Sequence, residues 1–103
     1  MSDLNNTADQ VGICDDTDLA VPPDCNVRFY NDDYTTKDFV VEVLLSIFHK
    51  SLDEAVTLME TVHKTGSAVV GTYTYDIAVT RARATIIRAR DEGFPLNVEV
   101  ERQ

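Results

Sequence analysis

The chain has 103 residues, with 18 acidic against nine basic side chains and a formal net charge of −9, which fits one domain with a tail. That balance argues against a nucleic-acid or anionic-membrane partner, since either needs a basic patch. No apolar run approaches the ~20 residues of a membrane span, and no basic-then-apolar leader opens the sequence. Two cysteines, Cys14 and Cys25, lie in a polar leader without a CxxC or a nearby His cluster. They give neither a zinc site nor a disulfide framework, and the reading is a small, reduced, cytoplasmic protein that needs no metal or cofactor.

Residues 1–25 hold six of the aspartates and no Lys or Arg, contain no aromatic residue, and reach Pro22-Pro23 near their end. They read as a flexible acidic extension that could reach roughly 80–90 Å when fully stretched. Residues 26–103 must supply the folded core. Val27 to Tyr30 read as a strand with Val27 and Phe29 on one face. Asn31-Asp32-Asp33 breaks it, because Asn and Asp bond their own backbone in turns. Thr35 with Asp38 resembles a capping box opening an almost wholly apolar helix. Its stripe is Val40, Val43, Leu44 and Ile47, widened by Phe39, Val41, Leu45 and Phe48.

Ser51 with Glu54 is a second capping box, and Leu52, Ala55, Val56, Met59, Val62 and His63 fall on one stripe of the helix that follows. Gly66 closes that helix. Ser67 to Tyr73 is a β-branched run that reads as a strand. Thr74 is expected to cap a third helix from Tyr75 to Glu92, ended by Gly93. A last strand runs from Leu96 to Val100 with Leu96, Val98 and Val100 on one face. The order is β-α-α-β-α-β. It predicts an α+β fold: a three-stranded, mostly antiparallel sheet with three helices packed on one face.

Few residues suggest chemistry. His63, beside Met59 and Val62, reads either as a partly buried histidine with a satisfied hydrogen bond or as a ring nitrogen facing a shallow apolar cleft. His49, near the end of the first helix, suits the helix dipole. Asn31, Asp32 and Asp33 form either a solvated turn or a cation site, the cation being a metal, an ammonium or a peptide amino terminus. No Ser-His-Asp order, activated Cys or phosphate-cradling Gly loop is legible, so nothing demands an enzyme. On the third helix Arg81 and Arg88 share one stripe while Arg83 and Arg90 fall opposite, a poor groove reader. All four read as solvated or partner-facing.

The run Asn31-Asp32-Asp33-Tyr34-Thr35 after a strand, then an apolar helix, then Val62-His63 ending a second helix, closely resembles the ClpS family, adaptors of the bacterial N-end rule. Gly71, Thr74, Ala78, Thr80 and Arg81 match further, as does Pro95-Leu96, so the resemblance covers about residues 26–100. It implies an adaptor rather than an enzyme. Such a protein binds substrates with a bulky N-terminal residue (Leu, Phe, Tyr or Trp) and delivers them to a ClpA- or ClpC-type AAA+ unfoldase of the Clp protease. By the same resemblance, Asn31, Asp33 and His63 hold the substrate α-amino group with Asp32 beside them. Phe29, Thr35, Lys37, Val40, Met59, Val62 and Leu96 form the hydrophobic pocket. An ammonium offers three donors, and an amide oxygen, a carboxylate and a neutral imidazole supply three acceptors.

Thr36 and Lys37 depart from the Pro and Met usual in the family, which predicts looser exclusion of Ile and Val. Asp76, Val79 and Arg81 stand at the unfoldase-docking positions, where the family carries acidic, acidic and basic residues. Protonation of His63 would remove an acceptor, so binding is expected to weaken as pH falls through the range where histidines titrate. The resemblance implies partners that are peptide N-termini, the acidic balance leaves no nucleic-acid or membrane partner, and a monomer is the default oligomeric state. The alternative is a general interaction module like the ribosomal stalk protein's C-terminal domain. A metal enzyme built on Asp32, Asp33 and His63 ranks last.

Overall fold

A computed structural model describes residues 24–103. The expected flexible leader, apart from its last two residues, and Cys14 lie outside these residues.

The alternation around Val27 and Phe29 extends further back than the sequence suggested. Strand β1 is Asp24–Tyr30, with Cys25, Val27 and Phe29 buried on one face and Asn26, Arg28 and Tyr30 half-buried on the other. Cys25 therefore belongs to the core rather than to a polar leader. Burial pushes its thiol up, opposed by Arg102 and aided by Asp24, so it is not poised to react. The strand gains its first residues by pairing: Asp24 lies opposite Thr74, and Cys25 lies between Tyr73 and Arg102.

Helix α1 is Lys37–Ser46 and buries Phe39, Val40, Val43 and Leu44. Its N-cap is Thr36, not Thr35: the Thr36 hydroxyl accepts from the Phe39 amide at 3.1 Å. Thr35 Oγ1 is already committed, donating to Asp32 Oδ2 at 2.7 Å. The helix closes through the Phe48 amide on the Val43 carbonyl and the Lys50 amide on the Leu44 carbonyl. Between them His49 turns left-handed at φ 55°, so its backbone makes the turn and its ring is not in the last turn of the helix.

Helix α2, Leu52–Thr65, begins with the expected capping box of Ser51 and Glu54 and ends at Gly66, whose φ of 96° favours glycine. Strand β2, Ser67–Thr74, follows at once. Helix α3 is Tyr75–Asp91; Thr74 is its N-cap, although its side chain makes no capping bond. The helix buries Ala78, Ala82, Thr85 and Ala89, small residues that let its backbone lie close to the sheet. Strand β3 is Asn97–Arg102, with Leu96 buried just ahead of it.

β1 is the central strand, flanked by β2 and β3, and both pairings are antiparallel. α3 lies against all three strands, α2 against β2, and α1 against α2. The outer face is polar: Arg28 pairs with Glu101 at 3.2 Å and Tyr30 donates to Glu99 at 3.2 Å. A register shift between Val27 and Arg28 marks a bulge in the β1–β2 ladder, opposite Val70. Beside it Gly71 faces inward, where the Tyr73 ring lies across it. A Cβ there would stand 2.6 Å from ring carbons.

Three of the four α3 arginines bond to other residues of the fold. Arg81 donates to the Ile47 carbonyl at 3.2 Å and lies 4.8 Å over the Tyr73 ring. Arg88 pairs with Glu42, and Arg90 donates to the carbonyls of Phe94 at 2.8 Å and Leu96 at 3.1 Å. Arg83 is exposed.

Candidate functional site

The turn after β1 is fastened to the end of α2. The Asn31 amide donates to the Gly66 carbonyl at 2.9 Å, which brings Asn31 beside the last turn of α2. Asp32 then organises the turn. Its Oδ1 accepts from the amides of Tyr34 and Thr35 at 2.8 and 2.7 Å, and its Oδ2 from the Thr35 hydroxyl. Burial works against its charge and is outweighed by the Thr35 amide and hydroxyl, the Tyr34 amide and the Arg90 charge. The carboxyl is thus held below the usual carboxylate range.

Between this turn, the first turn of α1 and the C-terminal half of α2 lies a cleft of about 420 Å³, within the range of small-ligand pockets. Asn31, Asp32, Asp33, Thr35 and Lys37 line it from the turn and the start of α1; Val40, Met59, Val62 and His63 come from the two helices. Nine residues separated by up to 32 positions in the chain are therefore brought together. Met59, Val62 and His63 share one face of α2 because they are three and four residues apart. Met59 and Val62 are buried while His63 is exposed. The reading of His63 as a partly buried histidine with a satisfied bond gives way. Its turn of the helix faces the open cleft, and its ring makes no hydrogen bond to another described residue.

The division of labour among the polar groups follows from their partners. Asp32 spends both oxygens on the loop. The side chains of Asn31, Asp33 and His63 are exposed at the cleft and make no bond among the described residues. They are free to accept from a ligand over an apolar floor. Among the described residues no group of three or more His, Cys, Asp and Glu side chains is placed to hold a metal ion. Hydrogen-bond acceptance by a carboxylate, an amide and an imidazole is the chemistry the cleft offers.

Other sequence-derived positions lie elsewhere. Phe29 and Leu96 are 0% and 1% exposed and sit in the core rather than on the cleft wall. Asp76 is exposed in the first turn of α3, and Val79 and Arg81 are half-buried. None of the three lines the cleft, and Arg81 is tied to Ile47 and Tyr73. Two cleft residues were not assigned to the site from the sequence: Tyr34, 74% exposed, and Thr36. Both sit inside the turn already singled out, so their position was the available signal.

Three comparisons bear on this arrangement. The family model described as ATP-dependent Clp protease adaptor protein ClpS matches residues 20–99. The ATP-dependent Clp protease adapter protein ClpS of Treponema denticola is 52% identical over 81 residues, covering 79% of this chain and 80% of that protein. Its namesake in Oleidesulfovibrio alaskensis is 41% identical over 102 residues, 98% of each chain. Among solved structures, Agrobacterium tumefaciens ClpS2 bound to L-phenylalaninamide superposes with a TM-score of 0.78 at 38% identity. It covers 81% of this chain and 100% of that one.

Proposed function

The chain belongs to the ClpS family of ATP-dependent Clp protease adaptors, and on that premise we propose that it captures proteins by a free N-terminal ammonium and a bulky first side chain. Leu, Phe, Tyr or Trp fills the apolar part of the cleft. The captured protein passes to a ClpA- or ClpC-type AAA+ unfoldase in the cytoplasm. The adaptor acts as a monomer and by binding, without catalysis of its own. Family membership takes the place of the stalk-like alternative.

One observation carries this reading: three unspent acceptors, Asn31, Asp33 and His63, stand at the same cleft as Val40, Met59 and Val62. An α-ammonium presents three donors on the carbon that also bears the first side chain, so both features must be met within a few ångströms. Its bond to Asp33 is charge-assisted, the strongest kind available here. The ligand of the Agrobacterium relative, L-phenylalaninamide, has this chemistry: a free α-ammonium, an aromatic side chain and an amide where the next peptide bond would begin. Met59 supports tolerance of differently shaped side chains through its flexible thioether.

Docking to the unfoldase is assigned to the start of α3, through Asp76, Val79 and Arg81. Val79 brings no charge, and Arg81 is partly spent on Ile47, so Asp76 is the freest charged contact of the three. The acidic leader, residues 1–23, is the segment that enters the unfoldase.

Calorimetry with two short peptides that differ only in beginning with Phe or Ala tests the side-chain requirement. Binding confined to the Phe peptide is expected, and equal binding would contradict it. Lys37 lines the cleft from the first residue of α1 and is exposed, so its stem can border the apolar floor while its ammonium reaches water. Lys37→Met should raise the preference for Leu over Ile as first residue. An unchanged Leu/Ile affinity ratio would remove Lys37 from selectivity.

A further inference from the structure

We infer that Arg90, at the far end of α3, is a positioning residue for the cleft: it fixes the link into β3 whose Phe94 braces the first turn of α1. The inference rests on reading the cleft as a site for N-terminal residues.

The bracing can be followed bond by bond. Arg90 Nη1 donates to the Phe94 carbonyl at 2.8 Å and to the Leu96 carbonyl at 3.1 Å. The segment so held turns through Gly93 at φ 82°, with the Phe94 amide on the Ala89 carbonyl at 2.8 Å. Phe94 then meets Phe39 edge-on, ring centroids 5.1 Å apart at 66°, a geometry that favours fixed ring placement. The Phe39 amide is the donor to the Thr36 hydroxyl, and the Val40 amide bonds the Thr36 carbonyl at 3.2 Å. Thr36 and Val40 are cleft wall.

A second line runs through charge. Arg90 is the cation that acts on Asp32 and helps keep it ionised, and Asp32 sets the backbone of Tyr34 and Thr35. Contact and charge therefore converge on residues 32–36. Arg83, two helical turns earlier on the same helix, is exposed and has neither connection among the described residues, so it serves as an internal control.

The test uses the full chain with Arg90→Gln, Arg90→Lys, Arg83→Gln and Phe94→Leu. Affinity for a Phe-initiated peptide is read by fluorescence anisotropy, and the Asp32 carboxyl is titrated by carbon NMR. Arg90→Gln should weaken binding roughly three- to tenfold, less than the loss of a charged bond made directly to the ligand, because Arg90 acts through the residues it positions, and raise the Asp32 midpoint. Arg90→Lys should restore both, and Arg83→Gln should move neither. Phe94→Leu keeps the carbonyl that Arg90 holds but loses the ring contact, so it should weaken binding without moving the midpoint. It also carries the affinity test should Arg90→Gln fail to fold. Wild-type affinity in both Arg90→Gln and Phe94→Leu, or an equal loss in Arg83→Gln, would overturn the inference. A wild-type protein that ignores the peptide would sink the reading of the cleft instead. The Asp32 midpoint in Arg90→Gln would then decide the positioning claim, an unmoved midpoint counting against it.

Discussion

Two depressions flank α2, and the larger is the less informative. The groove between its N-terminal half and β2 is about 580 Å³, against about 420 Å³ for the cleft at its C-terminal end. In the groove, Glu54 is bonded to Ser51 in the capping box and the Thr72 hydroxyl donates to Asn26. The charged side chains of Lys50 and Asp53 are left without a bond among the described residues, one donor and one acceptor of opposite charge rather than a set of converging acceptors. In the cleft, one carboxylate, Asp32, holds the loop, while Asn31, Asp33 and His63 have no such commitment among the described residues. A site is marked by polar groups left unspent and converging over an apolar floor, and volume is a poor guide to it.

Substitutions can break this comparison at its strongest point first. Asp33→Asn removes the carboxylate partner of the ammonium and should weaken binding of a Phe-initiated peptide by about 10- to 100-fold, the value of a charged hydrogen bond. Asp53→Asn, the same change in the groove, should stay within about twofold. Comparable losses from both would erase the distinction.

On the groove side the expected effect is on stability alone. Gly71→Ala forces a methyl against the Tyr73 ring, which also contacts Phe48 and Arg81. Overpacking of this kind costs about 1–3 kcal/mol and should lower the melting temperature by several degrees, with peptide affinity unchanged. A loss of affinity at unchanged melting temperature would reverse the assignment of the two depressions.

The smallest effect concerns Asp32, which should behave as a loop organiser. Asp32→Ala strands the Tyr34 and Thr35 amides at a cost of about 1–2 kcal/mol and weakens binding only in proportion to loop disorder. Because the folded carboxyl is depressed, its contribution to stability is complete above the unfolded value of ~3.9 and is lost as pH falls through the folded value. Thermal melts below about pH 5 should therefore fall less steeply in Asp32→Ala than in the wild type. Parallel curves would mean the carboxylate is not held by the loop.

Much of this was legible in the sequence because local periodicity carries it. The element order, the Ser51–Glu54 box, the Gly66 stop and the inward alternation of Val27 with Phe29 are all short-range patterns. So is the turn Asn31-Asp32-Asp33, which combines with Val62-His63 in the family resemblance. What escaped depends on partners distant in the chain or on competition between neighbours. Thr35 and Thr36 are equally good caps on paper; only the Asp32 carboxylate, which takes the Thr35 hydroxyl, decides between them. Cys25 looks like part of a polar tail until Tyr73 and Arg102 pair on either side of it. His63 lies on an apolar stripe, yet the turn that fastens Asn31 to Gly66 leaves its ring at an open mouth. The arginines of α3 look free until the carbonyls of Ile47, Phe94 and Leu96 come into reach.

The central claim is that the three unspent acceptors read a charged amine. The most direct measurement is the affinity for a labelled peptide beginning with Phe, set against the same peptide N-acetylated. Acetylation deletes the ammonium and keeps the side chain. Tight binding of the free amine with loss of the acetylated form is the predicted result; equal binding of the two would contradict it.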